Sequence, residues 1–318
     1  MSTHRVDVVP VALEKHHNAD TLSIVKVGEY TVVVRTSDWA DRITAAYVEP
    51  DYVVPADRDE FKFLAQTHKT IENNGVKGYR IKTKRLRGVM SMGLLVPAPP
   101  ESKIGDNVIE RMGVVRYEPP FHSSGGEATS GPAGVHYKYD VENGYRYAHC
   151  LVADEEVVVT EKVHGANGRF LFDGEKMHCG SRTEWKLESE NNLWWKALTA
   201  TPSLREFCEA NPGICVYGEV YGQVQDLKYG VKGVAFVAFD LLRAGVWLPY
   251  DEAAGLLSVH SVPVAPIIYR GPWDKEKIKE MADGDSVVAS WNGVKQIREG
   301  VVAKPVSERW MEELGRVQ

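Results

Sequence analysis

Short β-rich runs, interrupted by polar turn residues, recur through the first third of the chain and predict β-strands. Turn residues such as Asn18-Ala19-Asp20 and Pro50-Asp51 separate these runs. Closely spaced short strands of this kind are typical of a small β-barrel. The pattern predicts strands at 6–13, 22–27, 30–35, 43–49, 79–84 and 92–97.

The second half of the chain mixes strand-like runs with helix-like segments. Apolar spacing and capping residues predict helices at 192–198, from Pro202 onward with Thr201 as N-cap, at 252–259 capped by Asp251, and at 273–281. Few crossover signals occur, so we expect an α+β fold with antiparallel sheets. Strands are predicted at 157–160, 169–172, 214–220, 234–242 and 299–303.

A Gly-, Pro- and Ser-rich stretch at 118–134 separates these two patterns and predicts a flexible connection. We therefore expect a barrel domain at 1–117, a linker at 118–135 and a second domain at 136–318. A length of 318 residues agrees with two domains.

Composition says more about the cellular environment of the protein than about its function. The chain is 43% apolar and 26% charged, as in ordinary soluble proteins, and no signal peptide or membrane-spanning run is evident. Four scattered cysteines indicate neither a zinc site nor disulfides, so a cytoplasmic protein is expected. A net charge of −6 argues against indiscriminate coating of nucleic acid but permits a local basic site.

Lys162 ends the β-branched run 157–160 and enters a Gly-rich turn at 165–168. A lysine amine attacks only when neutral, and its reference pKa of about 10.4 must be lowered by burial or by a nearby cation. A lone lysine at a strand end is more often simply exposed. The residues downstream decide between these interpretations.

Four further elements follow in order, each with a charged or aromatic residue beside a strand-like run. Five ordered elements over about 145 residues are far more specific than a lone Lys-x-x-Gly. They resemble the motifs of the covalent nucleotidyltransferase superfamily of ATP-dependent polynucleotide ligases and mRNA capping enzymes. The matching stretches are 161–165 (motif I), Ser181-Arg182 (Ia), Tyr217-Gly218-Glu219 (III), 236–240 (IIIa) and 299–302 (IV).

The N-terminal part resembles the OB-fold domain of one group of nick-sealing RNA ligases, RNA ligase family 5. The stretches that match are 17–20, 47–51 and 86–94. The first of them is also similar to OB modules that bind transfer RNA. The resemblance implies an N-terminal OB barrel followed by an antiparallel-sheet adenylyltransferase domain.

The resemblance also implies a reaction. Lys162 would attack the α-phosphate of ATP to form lysyl-AMP, and the AMP would pass to an RNA 5′-phosphate that a 3′-hydroxyl then joins. Magnesium or manganese would offset the charge of the phosphates. The implied partner is RNA with nicked or broken ends. The protein is expected to be a monomer and not to bind a membrane.

Residue roles follow from the same motifs. Glu161 would contact adenine, Arg182 the ribose or phosphate, and Phe239 would stack on adenine. Glu219 would bind ribose hydroxyls or the waters of a metal, and Glu299 would help to hold that metal. Gly165 and Lys304 complete the implied nucleotide site.

His164 departs from the superfamily, where aspartate is common. A neutral imidazole cannot replace an anion around a hydrated cation, so His164 is interpreted as a phosphate or hydrogen-bonding contact. Asn167 would orient the RNA 5′-phosphate. The polar loop 225–230 is either a functional loop or a plain surface loop.

The basic run 77–87 lies in an acid-free interval between Glu72 and Glu101. As one strand it would place three cations on one face, from which we predict RNA contact. A solvated, aggregation-resistant edge is the alternative. The three predicted RNA-binding residues are Arg80, Lys82 and Lys84.

The last superfamily element, the cationic motif V, has no match after Lys304. Either the chain is clipped or the protein lacks that strand. An RNA ligase is the leading interpretation. The alternatives are a DNA ligase or capping enzyme, which usually carries its OB domain after the core, and a non-enzymatic or adenylylation-impaired RNA-binding protein.

Overall fold

The computed structural model describes residues 4–117, 127–312 and 314–318, except the side chains of residues 145 and 146. The chain divides into two compact units, Met1–Pro120 and Phe121–Gln318.

The first unit consists mainly of short strands. Its helical segments are α1 (Thr36–Trp39), α2 (Ile109–Met112) and a 3₁₀ segment at Asp59–Gln66. Its strands are β1 (Asp7–Pro10), β2 (Glu14–Lys15), β3 (Leu22–Val27), β4 (Tyr30–Arg35), β5 (Thr44–Val48), β6 (Tyr52–Pro55), β7 (Ile71–Asn73), β8 (Val76–Arg80), β9 (Lys84–Leu86), β10 (Val89–Ser91), β11 (Leu94–Val96) and β12 (Val115–Arg116).

Antiparallel pairing joins these strands into small sheets, in the orders β1-β5-β11, β2-β3-β4, β12-β6-β8-β7 and β9-β10. Alternate side chains of β5 enter two apolar clusters. Ala46 and Val48 lie in the cluster that contains Phe61, whereas Ala45 and Tyr47 lie in the cluster that contains Trp39. The predicted β-rich N-terminal architecture is confirmed.

The second unit combines longer strands with helices. The helices are α3 (Gly144–Tyr147), α4 (Leu193–Ala200), α5 (Pro202–Ala210), α6 (Tyr250–Val259), α7 (Lys275–Met281) and α8 (Val287–Trp291), with a 3₁₀ turn at Ala148–Cys150. The strands are β13 (Ala128–Thr129), β14 (Glu156–Lys162), β15 (Ala166–Phe172), β16 (Met177–Gly180), β17 (Trp185–Lys186), β18 (Ile214–Gly222), β19 (Val234–Arg243), β20 (Val246–Trp247), β21 (Ile267–Pro272), β22 (Gly300–Pro305), β23 (Trp310–Met311) and β24 (Gly315–Arg316).

Two antiparallel sheets dominate this unit. The larger has seven strands in the order β13-β17-β16-β15-β18-β19-β20, and the smaller has the order β21-β14-β22. Helices α4, α5 and α6 cover one face of the larger sheet, where Trp194, Phe207 and Phe236 are buried. The predicted α+β class with antiparallel sheets is confirmed.

The basic run of the first unit is not one strand. β8 ends at Arg80, and β9 begins only at Lys84, so the predicted strand 79–84 is wrong. The buried side chain of Ile81 is the last that the run inserts into the core. From 82 to 88 only Leu86 is apolar, and no burial holds these residues in the barrel.

Part of the predicted linker belongs to the larger sheet. Residues 118–126 lie outside the described part of the chain, whereas β13 pairs with β17 and belongs to the larger sheet. Gly131 lies so close to Trp185 that an added Cβ would meet the indole ring at 2.3 Å. Edge pairing of this kind needs backbone and small residues rather than apolar side chains, which is why composition did not reveal it.

The predicted start of α5 at Pro202, with Thr201 as N-cap residue, is confirmed, although the Thr201 side chain makes no capping hydrogen bond. The predicted start of α6 is wrong, because this helix begins at Tyr250, before the predicted cap Asp251. Asp251 pairs instead with Arg270, 2.6 Å away. The predicted Asn192 start of α4 is confirmed, since its side chain accepts bonds from the backbone of Trp194 and Trp195.

Candidate active site

Strand β14 carries Lys162 to the end of the smaller sheet. Lys162 is paired in register with Gly300, the first residue of β22, so Glu299 lies directly beside it. Successive residues of a strand point to opposite faces, which separates Lys162 and Thr160 from Glu161 and Val159. The face that carries Glu161 and Val159 packs against α7 through Val159.

The turn after Lys162 leads into β15 of the larger sheet. At Gly165 an added Cβ would lie 2.1 Å from the carbonyl oxygen of Val220, so only glycine permits this close approach. β15 then pairs with β18, and Asn167 lies opposite Glu219. Both therefore occupy one sheet face, away from the cluster that contains Val216 and Val220.

Four charged or titratable side chains meet here and are called the Lys162 cluster: Lys162, His164, Glu219 and Glu299. Lys162 Nζ donates to Glu299 Oε1, and His164 Nδ1 lies 3.5 Å from the same oxygen. Lys162 remains 45% exposed, so its amine is open to a substrate.

The carboxyl groups of the Lys162 cluster differ in acidity. Burial raises the pKa of Glu219 to about 8; the Lys162 ammonium opposes this rise, and the Glu299 carboxylate adds to it. Burial also raises the pKa of Glu299, but hydrogen bonds and charges from His164 and Lys162 outweigh it and hold this pKa below the usual value. Glu299 therefore ionises more readily than Glu219.

Glu161 lies on the other face of β14 from Lys162. Its carboxylate is 2% exposed and accepts hydrogen bonds from the Ser286 hydroxyl and from the backbone N–H groups of Val287 and Val288. These donors form the start of α8. The side chain thus lies on the face of β14 opposite Lys162 and holds the start of α8.

Tyr229, in the polar loop 225–230, is a residue whose position the sequence did not indicate. It is fully buried, and its hydroxyl accepts the backbone N–H of His164 at 2.7 Å. Its own N–H donates to Gln296 Oε1 at 3.1 Å, which holds the backbone at a φ of 54°. This loop therefore supports the turn that follows Lys162. An aromatic residue within a polar loop was the only available signal.

A second group, called the Asp240 cluster, consists of Asp240, Lys304, Arg316 and Tyr139. Asp240 is completely buried and receives bonds from Lys304 Nζ, from the Tyr139 hydroxyl and from both terminal nitrogens of Arg316. Burial opposes ionisation, but the two cations hold the pKa of Asp240 below its usual value.

Lys304 lies on the same sheet face as Lys162, but paired with Val158, four residues along β14. That separation is roughly 13 Å along a strand. Its amine is committed to Asp240 and to the Phe239 carbonyl at 3.3 Å. The structure therefore does not bring Lys304 to Lys162. The cation Arg316, which the sequence did not single out, joins Lys304 instead.

Phe239 lies at an irregularity in the pairing of β18 with β19, where Tyr217 pairs with Asp240 and Gly218 with Ala238. Its ring contacts Tyr139 at a centroid distance of 4.5 Å and remains partly exposed. Arg182 is held by Asp140 at 2.5 Å.

In the first unit, the three predicted RNA-binding cations are separated. Arg80 pairs with Asp51 at 2.6 Å and lies 3.7 Å from the centroid of the Tyr117 ring. Lys82 and Lys84 are exposed beyond the end of β8. The expected single row of three cations is therefore wrong, because the strand ends before it is complete.

Within the described ranges, no group of three or more His, Cys, Asp or Glu side chains has an arrangement that holds a metal by itself. Asn167 Oδ1 is buried without a hydrogen-bond partner and lies beside Glu219. That unpaired acceptor, together with Glu219 and Glu299, fits a hydrated cation shared with a substrate. No helix in the described part of the chain is long and apolar enough to cross a membrane.

The fold and site define a two-domain protein in which a small barrel precedes a nucleotidyltransferase-type domain. An RNA ligase family model matches residues 155–317, and an OB-fold domain model matches residues 6–98. The first match covers 163 of 318 residues, and the chain therefore belongs to the RNA ligase family.

Solved structures with the same fold include RNA ligase from Naegleria gruberi. A lysine-to-alanine mutant of that ligase, solved with ATP and Mn, is 23% identical, with a TM-score of 0.81 over 95% of this chain and 94% of that chain. The form with PPi is 24% identical, with a TM-score of 0.79 over 95% and 93%. At these identities the likeness establishes the fold.

One curated relative is Protein Early 65 kDa of Autographa californica nuclear polyhedrosis virus. It is 25% identical over 134 residues, which are 37% of this chain and 24% of the viral protein. The chain thus matches about a quarter of the length of that relative.

Proposed function

We propose that the protein is an ATP-dependent RNA ligase that joins RNA 3′-hydroxyl and 5′-phosphate ends through lysyl-AMP and RNA-adenylate intermediates. The observation that carries the proposal is the position of Lys162, whose partly exposed amine ends a strand beside Glu299 and Glu219. Family membership indicates RNA, and the Naegleria relative was solved with ATP and Mn and with PPi.

In the first step, the neutral Lys162 amine attacks the α-phosphorus of ATP. A P–N bond forms, the P–O bond to the β-phosphate breaks, pyrophosphate leaves, and the amine loses a proton. An RNA 5′-phosphate oxygen then displaces the lysine to give RNA-adenylate. Finally, a 3′-hydroxyl attacks that 5′-phosphate, forms the phosphodiester and releases AMP.

Glu299 has two roles in this proposal. As an anion bonded to Lys162 it stabilises the ammonium form, which cannot attack. Glu219 and Glu299 would hold a magnesium or manganese ion, with Asn167 accepting from one of its waters. The ion would offset the negative charge of the triphosphate. Attraction of the Glu299 carboxylate to this positive ion would break its ion pair with Lys162 and so free the amine.

AMP attachment tests the first step. The purified protein, incubated with ATP and magnesium or manganese, should gain the mass of one AMP, located on Lys162 by peptide mapping. Lys162→Met should abolish the gain, whereas Lys176→Met, which changes an exposed lysine of the same unit, should retain it. No adduct on the wild type, or an adduct that survives Lys162→Met, would refute the proposal.

Sealing tests the later steps. Nicked duplexes with a ribonucleotide at the 3′ end should be joined, and duplexes with a deoxyribonucleotide there should be joined more slowly. Preference for the deoxyribonucleotide would favour a DNA ligase. Tight RNA binding without any sealing would favour an RNA-binding protein with a degenerate ligase domain.

A further inference from the structure

The hairpin of β9 and β10, with the residues that lead into it, is called the basic hairpin (residues 82–91). Every residue from 82 to 88 is exposed. The segment contains no acid, and its four cations are Lys82, Lys84, Arg85 and Arg87.

These charges are not neutralised by carboxylates. Across residues 4–117, none of the ion pairs involves the four cations of the basic hairpin, whereas nearby Arg80 is paired with Asp51. Lys84 Nζ lies 3.0 Å from His68 Nε2. Burial lowers the pKa of His68, and the charges of Lys84 and Lys82 lower it further. The hairpin therefore projects an uncompensated positive field.

The tip of the hairpin is held in one conformation. Arg87 and Gly88 both have positive φ, 48° and 94°, as a two-residue hairpin turn requires. The backbone N–H of Asn18 donates to His16 Nδ1, so the proton of this imidazole lies on Nε2 and is donated to the Leu86 carbonyl at 3.3 Å.

Asn18 Nδ2 also donates to the Arg87 carbonyl at 3.2 Å. His16 is only 1% exposed, so this clamp is part of the barrel wall. At the base of the hairpin, the hydroxyl of Ser91 accepts the backbone N–H of Val33 at 3.0 Å. The stretch around Asn18, whose role the sequence left open, thus serves to fix a cationic turn.

Apolar side chains accompany the charges. Met90 is 44% exposed and lies opposite Arg85 in the register, so the two share a face. Leu86 is 36% exposed. Fixed cations beside exposed apolar groups suit a nucleic acid, because phosphates require positive charge and sugars and bases offer apolar faces.

We propose that the basic hairpin, positioned by His16 and Asn18, is the surface with which the N-terminal unit binds the phosphate backbone of RNA. The identity of the polyanion rests on the proposed RNA ligase function. This assignment replaces the predicted row of Arg80, Lys82 and Lys84, because Arg80 is paired with Asp51 and the exposed arginines of the basic run 77–87 are Arg85 and Arg87.

The test uses the full chain and a fluorescent nicked RNA duplex, with Kd measured by anisotropy between 50 and 200 mM salt. Arg85→Gln with Arg87→Asn removes two charges, and asparagine tolerates the left-handed turn. We expect Kd to rise about tenfold and the log–log salt slope to fall by about 2, roughly one per lost phosphate contact. The matched control, Lys26→Gln with Arg42→Gln, removes two exposed cations elsewhere in the unit and should change Kd less than twofold.

A Kd and a salt slope equal to those of the control would overturn the proposal. So would tighter binding to phosphatidylserine vesicles than to RNA. Asn18→Ala, which loosens the turn without changing charge, should weaken RNA binding severalfold; wild-type affinity would overturn the role of the clamp. AMP attachment to Lys162 is measured separately. If RNA binding depends on the basic hairpin but no AMP becomes attached, the result counts only against the proposed ligase reaction.

Discussion

Replacing Glu161 with alanine should destabilise the second unit rather than weaken nucleotide binding. The carboxylate accepts three hydrogen bonds in a site that is 2% exposed. The Ser286 hydroxyl can rotate toward another acceptor, but the N–H groups of Val287 and Val288 cannot. Each buried donor left without a partner costs about 1–3 kcal/mol, so the loss should be about 2–6 kcal/mol. That is a large part of a typical stability of about 5–15 kcal/mol.

Urea unfolding followed by tryptophan fluorescence measures this loss, because every tryptophan except Trp39 lies in the second unit. Glu156→Ala is the control on the same strand, where an exposed ion pair with Arg270 contributes about 0–1 kcal/mol. If Glu161→Ala loses no more stability than this control and only raises KM for ATP, the carboxylate contacts adenine and the reasoning is wrong.

Three further predictions concern the same unit. Tyr229→Phe removes the acceptor of the His164 N–H, so unfolding free energy should fall by about 1–3 kcal/mol and single-turnover AMP attachment should slow; equal values for Tyr221→Phe would contradict this. Because burial raises the pKa of Glu219 to about 8, above its unfolded value, the native state keeps a proton that the unfolded state loses. Stability of the nucleotide-free and metal-free protein should therefore fall by up to about 1.4 kcal/mol per pH unit between pH 5 and 8, and Glu219→Gln should flatten this dependence in urea titrations. Burial raises the pKa of Cys215 to about 12, and all four cysteines are buried, so a disulfide reagent at pH 8 should modify only the unfolded protein.

A local pattern was enough to predict strands such as β3, where alternate residues are buried, and β14, a continuous β-branched run that is buried throughout its centre. It was not enough at 79–84. There β8 ends at Arg80, because no side chain of the run after Ile81 is buried in the core. Nor did it reveal β13, whose edge pairing is made by backbone and does not depend on apolar residues.

The sequence alone identified Lys162, because one lysine between a β-branched run and a glycine turn, followed by ordered motifs, depends only on residue types and spacing. Tertiary structure decided which groups surround it. Glu299 reaches Lys162 across 137 residues, Glu161 turns to α8, and Lys304 is held by Asp240. Alternation along a strand determines which side chains share a face. What lies opposite that face depends on long-range pairing between strands, and this pairing appears only in the folded chain.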